Sequence, residues 1–324
     1  MANDRLNDLR NYAMVKILGV GGGGGNAVSH MASAGLSELE FAAVDTNETV
    51  ISRPLIGQRL QIGVGLAAGK GTDCRPEISE KAAKESRGDI AALIKDVDML
   101  FVIAGMGGGA GTGVAPVIAQ MAKDRGILTV GIVTRPFLFE GKLRTDQAEK
   151  GITELRKCVD VLITISDEKL LEAVDKNTAI AEAFRMIDAI LLQSVEGVIE
   201  LVTTVSRPAD FADIYAMMKD SGETLVGVGQ AGGETRVEQA TRTALSGLLP
   251  ETPINEVKKI LGCITGDMTL RWTEVTQVIN LIEEAVGLHT EVELWGLDLD
   301  EELSDTLRVT IVASGFEQDK HKNT

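Results

Sequence analysis

The stretch that most constrains this chain is Ala104–Gly113, AGMGGGAGTG. The apolar run Met99–Ala104 leads into it and the amphipathic run Val114–Ala122 leaves it. That order predicts strand, glycine turn and helix. Glycine takes positive φ freely and lets a ligand lie on bare main chain. A helix N-terminus offers free N–H groups and a dipole to an anion, typically phosphate. Pro116 is expected in the first turn of this helix, where its missing N–H costs little. A tight turn between packed elements also explains a single glycine run. A second run, Gly21–Gly25, follows the β-branched strand Met14–Val20 and weakens that explanation.

The rest of the chain alternates. Strands are expected at 40–45, within 57–65, at 99–104, 127–134 and 159–165, and helices from Asn26 to about Ala34 and at 76–95, 114–122 and 142–157. Strands separated by helices at this spacing indicate an α/β fold with a doubly wound parallel sheet. Such sheets bind ligands beyond the C-terminal ends of their strands, where both glycine loops fall. Residues 178–202 read as a long helix, apolar almost all round, of the kind buried between two layers. Beyond Arg207-Pro208 come a short helix at 211–219, strands at 223–229, 257–265, 291–297 and 306–314, and helices at 234–248 and 273–286. The expected organisation is a nucleotide-binding domain at 1–177, a central helix at 178–202, a smaller α/β domain at 203–316 and a polar tail at 317–324.

A net charge of -16 argues against a nucleic-acid partner held by bulk electrostatics. No apolar run reaches the ~18 residues of a membrane span, so direct membrane binding is not expected. Cys74, Cys158 and Cys263 are odd in number and widely spaced, which fits a reducing cytoplasm. His30, His289 and His321 show no metal-ligand spacing.

Two nucleotide motifs compete for the first loop. Gly19-x-Gly21-x-x-Gly24, with Asp45 ending the next strand, fits a dinucleotide fingerprint, but the second loop then has no role. Gly69-Lys70 fails as a Walker A motif because Val64 and Gly71 stand at its defining positions. Two glycine loops without a Walker lysine suggest a nucleoside di- or triphosphate held by backbone amides.

GVGGGGGNAV at 19–28 and GMGGGAGTG at 105–113 resemble the phosphate loops of the tubulin/FtsZ superfamily, most closely its FtsZ branch of cell-division GTPases. The resemblance continues through VTRPFLFEGKLR, GITELRKCVDVLITI, DFADI and LRVTIVASG, colinear over residues 14–315. It implies a cytoplasmic, filament-forming GTPase that takes GTP/GDP with Mg²⁺. Gly22, Gly23, Gly24, Gly25 and Asn26, with Gly107, Gly108, Gly109, Ala110, Gly111, Thr112 and Gly113, would cradle the phosphates. Glu140 and Arg144 would hold the ribose and the phosphate side. Phe184 would stack on the guanine, and Asp188 would accept from its N1–H and N2–H₂ edge. Asp210 and Asp213 resemble the catalytic loop that enters the site of the next subunit. A carboxylate delivered only on assembly couples hydrolysis to polymerisation, and a head-to-tail contact gives open filaments. Asp210 also fits as a helix N-cap.

The chain departs from the family pattern near the nucleotide. Pro208 replaces an Asn before the catalytic loop, Ala110 replaces a Thr, and Leu138 replaces an Asn. Asp45 and Asp167 stand for Asn, and Gly71–Pro76 replaces GAGANP, adding Asp73. These changes predict slow or altered hydrolysis. The alternative is a weakly or non-hydrolysing structural or regulatory relative that co-assembles with another FtsZ.

Overall fold

In a computed structural model, β-branched and small apolar runs form the strands that the alternation predicts. Residues 13–33, 39–51, 57–67, 69–72, 74–166, 180–205, 215–216, 218–248, 257–286 and 292–315 are described. They divide into an N-terminal unit, Ala2–Leu192 with Met218–Asp220, and a C-terminal unit, Gln193–Met217 with Ser221–Thr324. Among the described residues, no helix is long and apolar enough to cross a membrane.

In the N-terminal unit, β1 (Val15–Val20), β2 (Glu40–Asp45), β3 (Gln58–Gln61), β4 (Met99–Gly105), β5 (Leu128–Arg135) and β6 (Val161–Ser166) pair in parallel. Their order is β3-β2-β1-β4-β5-β6. All of β1 and all of β4 but its last residue are buried, as a sheet covered on both faces requires. Leu18, Val20, Val44, Leu100 and Val102 share one core with three helices. These are α2 (Pro76–Glu85, through Ala83), α3 (Gly109–Lys123, through Val114 and Ile118) and α4 (Lys142–Cys158, through Ile152 and Leu155). Helix α1 (Gly21–Ser33) buries Ala27, Val28 and Met31 and packs along β1, β2 and β4.

Strand order reverses between β1 and β4. That is the switch point where ligands sit in open α/β sheets, and it is where both glycine loops emerge. The elements there are tighter than expected. α1 starts at Gly21 rather than Asn26, and α3 starts at Gly109, so most loop glycines lie in first helical turns. Pro116 consequently sits inside α3 rather than in its first turn, and one interior helical N–H is missing. The helix expected at 76–95 is two helices that break at Ser86, whose hydroxyl accepts from the Gly63 amide at 3.0 Å.

Among the described residues, the C-terminal unit carries four strands: β7 (Gly222–Gly232), β8 (Lys259–Gly266), β9 (Val292–Leu299) and β10 (Thr306–Ser314). β10 lies antiparallel between β7 and β8, and β9 pairs parallel with β8. Helix α5 (Ile180–Val205) enters this unit at Gln193. Arg185, Ala189, Gln193 and Glu196 form an exposed stripe on it, so its described residues are less uniformly buried than the sequence suggests. Helices α6 (Arg236–Leu248) and α7 (Trp272–Val286) pack Ala240, Ala244, Val278 and Ile282 onto Ile260, Ile264, Leu307 and Val309. Glu200 of α5 accepts from Thr265 Oγ1 at 2.6 Å and Thr310 Oγ1 at 2.9 Å, fixing the helix to β8 and β10.

Arg236 is buried at the start of α6, and its fork meets Glu274 at 2.7 and 2.9 Å. Asp267 lies 3.4 Å from it. Asp267 accepts from Thr269 Oγ1 at 2.6 Å and from the Asp305 amide at 2.8 Å, which hold its pKa down to about 2. Glu274 is also lowered, chiefly by its hydrogen bonds from Arg236.

Arg236→Met takes from the half-buried Glu274 its charged partner, and losing hydrogen bonds to a charged group costs about 1.5–3 kcal/mol. Trp272 and Trp295, the two tryptophans of the chain, both report on the C-terminal unit, so urea unfolding followed by their fluorescence measures the loss. Both carboxylates have folded pKa values below their unfolded ones. Their contribution is therefore complete above about pH 4.5 and fades as pH falls toward 2. The same fluorescence signal, followed against pH, is expected to show this unit weakening over that acid range, and to show less of the effect in Arg236→Met.

Candidate functional site

The two glycine loops meet main chain to main chain. A Cβ on Gly21 would lie 2.9 Å from the Gly111 nitrogen, and one on Gly24 would lie 2.2 Å from the Ile103 carbonyl oxygen. One on Gly111 would lie 2.2 Å from the Gly105 carbonyl oxygen. These glycines let α1 and α3 start directly against β1 and β4. Gly109 and Gly113 serve a second approach: their Cβ positions would strike Thr72 Oγ1 at 2.4 Å and the Pro76 carbonyl oxygen at 2.2 Å. This brings loop 69–75 onto the start of α3.

Other glycines face open space. Nothing lies within 4 Å of a Cβ built on Gly25 or Gly108, and Gly22 has only Val50 Cγ2 at 4.0 Å. Gly108 caps α3 without a side-chain cap, and neither α1 nor α3 has an acidic residue in its first turn. First-turn amides without side-chain acceptors, beside bare main chain, suit an anion. Thr112 turns inward instead, and its Oγ1 accepts from the Gly107 amide at 2.9 Å. Gly107, at φ +92°, closes the loop with its Cβ position 2.7 Å from the Arg144 carbonyl oxygen. A larger residue there would strain the backbone and clash.

That contact brings Arg144 to the second loop. Arg144 pairs with Glu140 one helical turn away, and Glu140 also accepts from the Phe137 amide at 3.1 Å. Arg144 Nε is buried without a partner among the described atoms, so the guanidinium retains donor capacity. Beside α1 opens a cavity of about 310 Å³ lined by Gly21, Gly25, Asn26, Ser29, His30 and Asp45, with Val50 and Ile51 opposite. Asp45 is buried, and its Oδ1 accepts from the Asn47 amide at 2.9 Å.

The predicted phosphate-loop residues Gly22–Asn26 and Gly107–Gly113, with Glu140 and Arg144, thus lie around the β1–β4 switch point. Phe184 and Asp188 lie within α5, but their side chains fall outside the described residues, as do Asp210, Asp213, Pro208, Asp167 and Asp73. Thr72, Ser79, Ser29 and Val50 were not singled out from sequence. The hydroxyls of Thr72 and Ser79 are 2.6 Å apart and buried against Gly109. The helical spacing of Gly21, Gly25 and Ser29, which puts them on one face of α1, is the signal available in the sequence for the cavity wall.

The family model for the Tubulin/FtsZ GTPase domain matches residues 14–175, and that for the FtsZ C-terminal domain matches residues 222–317. An empty FtsZ dimer from M. jannaschii is 34% identical, with a TM-score of 0.85 over 97% of this chain and 92% of that chain. A GTPγS-bound protofilament of CetZ2 from Haloferax volcanii is 19% identical, with a TM-score of 0.80 and 94% of each chain covered. The GDP-bound CetZ1 monomer from the same organism is 20% identical, with a TM-score of 0.79 and 94% of each chain covered. At those identities the two CetZ proteins speak to the fold alone.

The two classes of glycine separate experimentally. Gly24→Ala and Gly111→Ala put a Cβ into a carbonyl oxygen and are expected to lower the melting temperature sharply or prevent folding, as overpacking of about 1–3 kcal/mol or more implies. Gly108→Ala and Gly25→Ala meet no neighbour and are expected to melt close to the wild type. Differential scanning calorimetry of the four variants distinguishes them.

Proposed function

The chain belongs to the tubulin/FtsZ family of cytoskeletal GTPases, and from that premise we propose that it binds GTP across its two glycine loops and hydrolyses it on head-to-tail assembly. The observation that carries this reading is the pairing of the loops at the switch point, with Gly22, Gly25 and Gly108 bare toward solvent. In this reading the first-turn amides of α1 and α3 hold the phosphates, and Arg144, steadied by Glu140, adds positive charge beside them. Phe184 and Asp188 recognise guanine, and Asp188 disfavours adenine by accepting where adenine has no donors. Mg²⁺ accompanies the phosphates and neutralises part of their charge. The dinucleotide alternative gives way, because the loops form one cradle in a chain of this family.

Hydrolysis needs a water placed in line with the γ-phosphorus. Water oxygen bonds to phosphorus as the bond to the β–γ bridging oxygen breaks, leaving GDP and inorganic phosphate. Asp210 and Asp213 of the next subunit would orient that water. Each unit exposes an apolar cluster suited to such a contact. Leu138, Phe139 and Leu143 are 67–71% exposed in the N-terminal unit, and Met268, Trp272, Leu297 and Leu299 are 47–75% exposed in the C-terminal unit. Two different patches suit a heterologous, non-closing contact, hence a protofilament. The match to the FtsZ C-terminal domain favours the FtsZ branch and a role in division or a related cytoskeletal task. The second reading, a weakly or non-hydrolysing partner for another FtsZ, draws on Pro208 and on Ala110, which is half-buried in the first turn of α3.

Phosphate release on adding GTP, across a protein concentration series with light scattering and an ATP control, tests the proposal. GTP-specific release above a threshold concentration is expected, together with scattering. Asp213→Ala is expected to cut turnover about 100-fold, as loss of a positioned acid–base group does. Scattering without release would mean a filament whose catalytic loop is impaired, and the absence of both signals would overturn the first reading and favour the second.

A further inference from the structure

Two hydroxyls of the N-terminal unit meet at the start of α3. Thr72 Oγ1 and Ser79 Oγ, the latter on α2, are 2.6 Å apart. Thr72 is 5% exposed and Ser79 is fully buried. Both stand against Gly109, the first residue of α3. A Cβ built there would lie 2.4 Å from Thr72 Oγ1 and 3.2 Å from Ser79 Oγ, so the hydroxyls fill the space of the missing side chain. Thr72 is held in place from several sides. Its carbonyl accepts from the Arg75 amide at 3.0 Å and from Arg75 Nε at 3.4 Å. Gln147 of α4 donates to the Cys74 carbonyl at 3.3 Å.

The pair holds one hydrogen more than it uses. Each hydroxyl carries one hydrogen and two lone pairs, and their mutual bond consumes one of the two hydrogens. Among the described residues, nothing accepts the other. A buried donor without an acceptor is costly, so such a hydrogen points to a ligand. It stands at the first turn of α3, which Gly108 caps without a side-chain hydrogen bond and which carries no acidic residue. The amides of that turn also await an acceptor. Hydroxyl and amides together suit one anion.

The sequence adds a separate sign. Ala110 stands where the family pattern has Thr, so the first turn of α3 has lost a hydroxyl. Thr72 stands where GAGANP has its first Ala, so the neighbouring loop has gained one. The two changes adjoin, because Thr72 packs on Gly109, the residue before Ala110.

We infer that Thr72 donates to a phosphate oxygen of the bound nucleotide, with Ser79 donating to Thr72 behind it, and so replaces the hydroxyl that Ala110 lacks. A hydrogen bond to a charged acceptor is stronger than one between neutral groups. Ser79 is the positioning residue: by donating to Thr72 it turns the Thr72 hydrogen outward, and it polarises that donor. This rests on the GTPase reading above.

The full chain, kept below its assembly concentration, is compared with Thr72→Val, Thr72→Ser, Ser79→Ala and the double variant Thr72→Val/Ala110→Thr. Competition against a fluorescent GDP analogue measures affinity for guanosine, GDP and GTPγS, and calorimetry follows the melting temperature. Thr72→Val keeps the shape and removes the hydroxyl. It is expected to weaken GDP, GTPγS or both by about 10–100-fold and to leave guanosine within about twofold, as loss of one hydrogen bond to a charged group implies. Thr72→Ser is expected to bind both nucleotides close to the wild type, and Ser79→Ala to lose a smaller part of the affinity. Adding Ala110→Thr to Thr72→Val is expected to recover most of the loss. Wild-type nucleotide affinity in Thr72→Val, or in Ser79→Ala should Thr72→Val not fold, would overturn the inference while leaving the GTPase reading standing. An equal loss for guanosine and the nucleotides would show a distorted pocket and also overturn it. A wild-type protein that binds neither GDP nor GTPγS would overturn the GTPase reading, and this inference with it, before any variant is compared.

Discussion

The contact on which the N-terminal unit depends is backbone against backbone at the β1–β4 switch point. Gly24 passes so close to the Ile103 carbonyl, and Gly111 so close to the Gly105 carbonyl, that no side chain fits between them. Close packing of this kind leaves no slack. It brings two helix N-termini to one spot and points their first-turn amides the same way. The parallel order of the sheet follows the same logic, because only a reversal of strand order puts β1 and β4 side by side with a helix leaving each.

The C-terminal unit is held by different physics. Its sheet is mixed, its helices α6 and α7 cover one face, and a buried guanidinium gathers carboxylates from separate parts of the chain. Arg236 suits this role because its planar fork satisfies Glu274 with two hydrogen bonds and still reaches Asp267. The network ties the start of α6 to the start of α7 and to the turn after β8. Glu200 does similar work on α5 through two threonine hydroxyls.

Much of this was legible in the sequence because it is written in short-range patterns. Val15–Val20 and Met99–Gly105 announce themselves as buried strands by composition, and the glycine loops by their runs. The phosphate-loop likeness then extends over the chain. What was not legible comes from tertiary approach. No local rule has a helix begin on five glycines, whose propensity for it is poor. α1 does so because Gly24 must nest against β4. Pro116 looks like a first-turn residue only while the glycines before it are taken for a loop. Thr72 and Ser79 carry no pattern and acquire a place through their contact with Gly109. Arg236 reads as a surface charge until residues 31, 38 and 69 positions away close around it.

A cradle made of main chain also bears on how such a protein diverges. Amides are supplied by every residue but proline, so on the proposed GTPase reading the bare main chain at Gly22, Gly25 and Gly108 would recognise phosphate through the path of the chain rather than through side-chain identity. Side chains around it, such as Ala110 or Asp45, are free to drift and retune the chemistry while the cradle stays intact. The glycines wedged between strands and helices have no such latitude. Lineages descending from one ancestor would then keep the same grip on phosphate while differing widely in how fast they let it go.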